Sequence, residues 1–129
     1  MNLLLDTHTV LWFWWDDKRL GTLARQLICN PAHRKLISLA TPWELAIKVS
    51  LNKLSINRPF SGLFAEHMDR TNFEWLATTD AHFNLLTTLP YHHRDPFDRM
   101  LAAQSLANGI PLVSADVIFD TYGVQRLWN

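Results

Sequence analysis

Apolar residues come along this chain in short blocks, set apart by polar residues with turn and capping chemistry. "NLLLD" (2–6) is an apolar run that ends in a carboxylate, the pattern of a buried strand. "KLISLA" (35–40), "FEWLATT" (73–79), "IPLVSAD" (110–116) and "VQRLWN" (124–129) are further strand candidates. Helical spacing fills the intervals. "THTVLWFWW" (7–15) reads as a helix or an aromatic-rich turn, and "TLARQLICN" (22–30) as a short helix with Thr22 as cap candidate. "TPWELAIKVSLNKL" (41–54) predicts a helix capped by Thr41 and opened by Pro42. Glu44 then takes the third helical position, and Ile47, Leu51 and Leu54 continue the apolar face. "LFAEHMDRTN" (63–72) and "DAHFNLLTTLP" (80–90) are helices, the second capped by Asp80 and stopped by Pro90. In "DPFDRMLAAQSLANG" Asp95 is a natural N-cap, Pro96 costs nothing at the first helical position, and Asn108-Gly109 is a stop. "VIFDTYG" (117–123) is a short helix.

Strands alternate with helices throughout, with no repeat, low-complexity tract or linker. The pattern predicts an α/β fold: a three-layer α/β/α sandwich with a mostly parallel sheet, formed by one domain over residues 1–129. A length of 129 residues supports one core and not two.

Composition changes this picture little: 48% hydrophobic and 19% charged residues place the chain among globular domains. A single cysteine, Cys29, excludes an internal disulfide. The apolar N-terminus lacks an early Lys or Arg and is broken by Asp6 and His8, so it does not read as a secretory signal. A cytoplasmic setting is expected, with no membrane span. Net charge is zero, which at first speaks against a nucleic-acid partner. If four carboxylates were gathered around a cation, however, the remaining side chains would carry 12 basic against 8 acidic groups. Neutrality is compatible with an acidic pit in a basic surround.

In an open parallel sheet the site lies beyond the carboxyl ends of the strands. Four acids fall there: Asp6 after the first strand, Glu44 on the helix after the second, Asp98 at the start of the helix before the fourth, and Asp116 after the fourth. Each alone has a plain explanation as a cap or a helix-dipole partner. Together they repel, by about 4 kcal/mol per pair near 4 Å at an effective dielectric of ~20. A cation resolves that cost, and oxygen-only ligands favour Mg²⁺ or Mn²⁺. Such a centre activates water and stabilises the leaving oxygen in phosphodiester cleavage.

The six histidines show no H-x-x-x-H or cysteine pairing, so a structural zinc is not expected. His93, Arg94 and Arg99 are candidates for phosphate or RNA contact, with solvated loop residues as the alternative for His92 and His93. Lys48, one turn beyond Glu44, reaches either a phosphate or Glu44 itself. The run Trp12-Phe13-Trp14-Trp15 cannot be buried on one helix face, so part of it is expected at an interface or buried on a second side.

"LLLDTH", "TPWELAIK", "LPYHHRDPFDRMLAAQSLANG" and "PLVSADVIFDTYGV" resemble the PIN-domain ribonucleases, and more narrowly the VapC-like toxins of prokaryotic type II toxin–antitoxin modules. The match spans nearly the whole chain with its motifs in order. The resemblance implies a Mg²⁺- or Mn²⁺-dependent endoribonuclease that acts on RNA, is neutralised by a small antitoxin, and forms a homodimer. It places the acidic quartet on Asp6, Glu44, Asp98 and Asp116, so that Asp98 is the ligand and Asp95 the cap. The small polar residue near the last aspartate, often Thr or Asn in the family, is here Ser114, a further phosphate-contact candidate. Residues 55–80 carry no diagnostic motif, so the RNA is not identified. Two other classes compete. A haloacid-dehalogenase-like phosphatase also has Asp after its first strand, but needs a second Asp where this chain has His8. An inert interaction module on the same fold would not be expected to keep all four acids.

Overall fold

The computed structural model describes all residues, Met1–Asn129. Five short strands form the central sheet: β1 (Asn2–Leu5), β2 (Arg34–Ser38), β3 (Glu74–Leu76), β4 (Leu112–Val113) and β5 (Arg126–Leu127). Their order is β3-β2-β1-β4-β5, and every pairing is parallel. Six α-helices lie between them: α1 (Thr7–Trp14), α2 (Thr22–Cys29), α3 (Ala40–Ser50), α4 (Leu63–Thr71), α5 (Asp80–Leu86) and α6 (Pro96–Asn108). A 3-10 helix, Val117–Tyr122, joins β4 to β5.

The apolar strand runs follow from burial on both faces. Leu3 and Leu5 of β1 point into a core shared with Ile37, Val113, Leu11, Ala24, Leu45 and Phe64. Leu4 points the other way, into a second core with Leu36, Leu112, Leu101 and Phe119. Successive strand side chains alternate between faces, so a strand covered on both sides is apolar at every position. The expected α/β/α sandwich is thus present, with a sheet that is parallel throughout.

Several helix starts differ from the sequence expectation. Helix α3 begins at Ala40, so Thr41 lies inside it, buried and with no partner for its hydroxyl, and Glu44 is its fifth residue. The hydroxyl of Ser38 accepts from the Ala40 N–H, which does locally what Thr41 was expected to do. The helix ends at Ser50, leaving Leu51 exposed, while Leu54 packs on the core from the following turn. Gly21, not Thr22, caps α2; a Cβ there would meet the Trp128 carbonyl at 2.9 Å. Thr79, not Asp80, caps α5, and the Thr79 N–H donates to Nδ1 of buried His82 at 3.0 Å. Helix α6 obeys its sequence: Asp95 caps it, Pro96 opens it, and Gly109 ends it in the left-handed region at φ 62°.

The order β3-β2-β1-β4-β5 reverses its direction of growth between β1 and β4. The connections leaving these two strands diverge and open a crevice at their carboxyl ends, the usual place for a site in such a sheet.

Candidate active site

That crevice is a cavity of about 420 Å³, lined by five carboxylates: Asp6, Glu44, Asp95, Asp98 and Asp116. Asp6 follows β1 and caps α1, its Oδ1 accepting from the Thr7 N–H at 2.7 Å. Its Oδ2 accepts from the Ser114 hydroxyl at 2.7 Å. The same hydroxyl accepts from the Asp116 N–H at 3.0 Å, so fully buried Ser114 ties the ends of β1 and β4 together. Glu44 is buried inside α3, where capping cannot account for it. Its Oε1 accepts from the Thr7 hydroxyl at 2.6 Å, and its Oε2 from Lys48 at 2.8 Å. Asp98 stands in the first turn of α6, its Oδ2 2.8 Å from His93 Nε2. Asp116 caps the 3-10 helix through Ile118 N–H at 3.0 Å and is the exposed member at the rim.

The electrostatics record the crowding. Burial pushes the Asp98 carboxyl from 3.8 up to about 7, and the charges of Asp6, Asp95 and Glu44 push in the same direction against the His93 hydrogen bond. Asp6 is also raised, first by burial and further by Glu44, although its bonds to Ser114 and Thr7 oppose this. For Lys48, burial favours the neutral amine. The bond to Glu44 and the charges of Glu44, Asp95 and Asp98 outweigh it and hold the ammonium above its ordinary 10.5. Five carboxylates against Lys48 and an Arg19 already paired with Asp17 make a site deficient in positive charge. These residues fit a divalent cation.

Residues 3–124 match the family described as PIN domain. The chain belongs to the PIN-domain family. Its fold also matches a chain of VapBC2 from Rickettsia felis, whose crystal structure holds a DNA fragment from the promoter. The TM-score is 0.66 and the identity 12%, with 100% of both chains covered. At that identity the likeness speaks for the fold. No curated protein sequence matches the chain. Of the expected resemblance, the family match over most of the chain shows the PIN domain, and the shared fold agrees with it.

In this PIN domain the four acids singled out in the sequence all line one cavity, with Lys48 beside them. Of Lys48's two expected roles, the structure has the ion pair with Glu44. Arg94 is exposed, beside the pit in sequence but not among its lining residues. Arg99 departs from the expected RNA contact. It is 5% exposed and turned inward, its guanidinium donating to the carbonyls of Pro90 at 2.8 Å and Leu89 at 3.1 Å beneath the Tyr91 ring. The apolar stem belongs under the surface, and those carbonyls need donors, so Arg99 shapes the segment before α6. Ser114, too, is a fully buried link between carboxylates and offers no exposed hydroxyl to RNA.

Sequence reasoning missed Thr7 and Asp95 as participants, and did not single out Arg19, which lines the cavity as well. Thr7 orients both Asp6 and Glu44; the signal was its place directly after the first carboxylate in "LDTH". Asp95, read as a cap alone, uses Oδ1 for the Phe97 and Asp98 N–H groups at 2.8 and 3.2 Å, and lines the acidic cavity as well. The aromatic run divides as expected, most of it against the core and one member exposed. Trp12, Phe13 and Trp14 pack on the core, and Trp15 is 38% exposed. Trp43 is 64% exposed and lines an apolar hollow of about 320 Å³ with Leu39, Phe83, Phe97 and Met100.

No helix is long and apolar enough to cross a membrane.

Proposed function

We propose that this PIN domain is a Mg²⁺- or Mn²⁺-dependent endoribonuclease and the toxin of a toxin–antitoxin pair. The observation that carries the reading is the convergence of Asp6, Glu44, Asp98 and Asp116 on one crevice at the sheet's switch point, with the Asp98 carboxyl raised to about 7 by burial and by the neighbouring charges. Asp6, Glu44, Asp98 and Asp116 would hold the cation. When bound, it supplies Lewis acidity toward the phosphate oxygens and makes water a better nucleophile.

The chain's own residues do the rest. Thr7 and Ser114 fix the carboxylates of Asp6 and Glu44 before any ligand arrives, so little ordering remains to be done on binding. The Lys48 ammonium neutralises one oxygen of Glu44 and lies where a phosphodiester entering the pit would meet a positive charge. Exposed Arg94 and Arg19, which is stacked on Trp12 at 4.9 Å and paired with Asp17 at 2.7 Å, are the cationic groups near the acidic floor for the flanking backbone phosphates. No serine, histidine and aspartate are arranged as a nucleophilic triad in the cavity, so the reaction is direct attack by water without a covalent enzyme intermediate.

The PIN family match favours this reading over the phosphatase alternative, whose second aspartate is absent at His8. It is also favoured over an inert module, because none of the four acids is lost. Purified protein free of its antitoxin should cleave RNA with Mg²⁺ or Mn²⁺ and stop in EDTA; undiminished cleavage in EDTA would remove the metal mechanism. Kinship in fold with VapBC2 supports a protein partner. The exposed apolar hollow around Trp43 is surface that such a partner, or a second copy in a homodimer, would cover. Expression alone should be toxic, and co-expression of the neighbouring small gene should relieve it.

A further inference from the structure

His93 is the imidazole hydrogen-bonded to the acidic quartet. Its Nε2 lies 2.8 Å from Asp98 Oδ2, and single donor atoms of His93, Asp95 and Asp98 all lie within 4.8 Å of one another. We propose that His93 is a ligand of the divalent cation in the pit. The site is then a mixed nitrogen–oxygen set, and not the all-oxygen set that the four acids alone would make. The proposal rests on the metal-dependent reading given above.

The spacing suits coordination. In an octahedral shell with bonds of about 2.1 Å, neighbouring donor atoms are about 3 Å apart and opposite ones about 4.2 Å. A cation can therefore share Nε2 and Oδ2 with little movement of either side chain. Asp95 commits only Oδ1 to its cap, and its second oxygen accepts no hydrogen bond from the chain. A bound cation would displace to solvent the proton shared by Nε2 and Oδ2, and the ring would keep its other proton on Nδ1, which has no partner in the chain.

The imidazole is held in place from behind. The His93 N–H donates to the Tyr122 hydroxyl at 2.9 Å, and that hydroxyl lies 3.4 Å from the His93 carbonyl. Arg99 donates to the same hydroxyl at 3.3 Å while it clamps the carbonyls of Leu89 and Pro90. A solvated loop histidine would not need a buried arginine and a tyrosine to fix its backbone. The 33% exposure of its side chain leaves room for substrate on the outer side.

An imidazole ligand adds little affinity for Mg²⁺, but increasingly more along the series from Mn²⁺ to Co²⁺. The metal-stripped full chain should therefore bind Co²⁺ more tightly than Mg²⁺ by calorimetry. His93→Gln should lower Co²⁺ affinity at least about tenfold and leave Mg²⁺ affinity within about threefold. Pulsed electron paramagnetic resonance of the Mn²⁺-loaded chain should show coupling to a directly bound nitrogen. That coupling should change isotope when histidine is ¹⁵N-labelled, which needs no variant, and should vanish in His93→Gln. His8 lines the cavity wall itself, whereas His93 reaches the site through Asp98, so His8 is the control. Coupling that survives His93→Gln but is lost in His8→Gln overturns the assignment, as does bound Mn²⁺ with no nitrogen coupling; the metal centre stands in both cases. Failure of the wild-type chain to bind Mn²⁺ at all removes the nuclease reading and this one with it.

Discussion

Replacing Asp98 by Asn should kill cleavage and stabilise the metal-free protein, a pairing that a purely structural aspartate would not give. The Asp98 carboxyl is raised from 3.8 to about 7. Ionising it in the fold therefore costs more than in the unfolded chain. The sign follows: below pH 3.8 both states are protonated and there is no penalty. The penalty grows as the pH rises through this window and is complete above the folded value. At about 1.36 kcal/mol per pKa unit it reaches about 4 kcal/mol at pH 8, against about 1–2 kcal/mol at pH 5. Neighbouring carboxyls can take up a proton instead, which reduces what asparagine recovers, while the His93 bond is already contained in the raised value. A net gain of about 2–3 kcal/mol at pH 8 remains, or roughly 6 to 12 °C in Tm for a domain of this size. At pH 5 the gain should fall to about 1 kcal/mol. Thermal or urea melts in EDTA at both pH values measure it, beside RNA cleavage by the same samples in Mn²⁺. A variant that melts at or below wild type at pH 8, or gains equally at both pH values, would refute the charge-crowding argument. An active Asp98→Asn would refute the ligand assignment.

Asp95→Ala removes the cap of α6 at a cost of about 0.5–2 kcal/mol, but also removes a charge that repels Asp98. Net destabilisation should therefore be small at pH 8 and larger at pH 5 in EDTA melts. Lys48→Met leaves buried Glu44 without its cation and should cost about 1–3 kcal/mol in metal-free melts. Millimolar Mn²⁺ should restore most of it by supplying the missing positive charge; loss that Mn²⁺ does not touch would place the cation elsewhere. Arg99→Leu strands the carbonyls of Leu89 and Pro90 and should destabilise by about 2–4 kcal/mol. Urea denaturation checks this, and an unchanged midpoint would mean the segment before α6 is solvated without Arg99.

The sequence by itself determined the alternation of elements, the parallel sheet and the four carboxylates at its carboxyl edge. These are local or periodic signals. A strand covered on both faces must be apolar at each position, as "LLL" is, and a Pro-opened helix with an Asp before it announces its own start. Helix starts that borrow a cap from outside their own first turn were not legible. Ser38 serves α3, so Thr41 was miscast, and Glu44 became an interior residue whose burial only packing against Thr7 and Lys48 explains. Nor could the chain announce which basic residues face solvent. Arg99 is adjacent to Asp98, yet a helix turns successive residues about 100° apart, so one looks into the pit and the other into the segment behind it. Tertiary structure alone decided that His93, loosely placed by its loop, is drawn to Asp98 by Tyr122 and Arg99. It also decided that Asp95 serves a cap and a cavity at once. Those relations join residues whose proximity comes from β4 lying beside β1 and from the 3-10 helix folding back onto α6, and no local pattern of side chains encodes them.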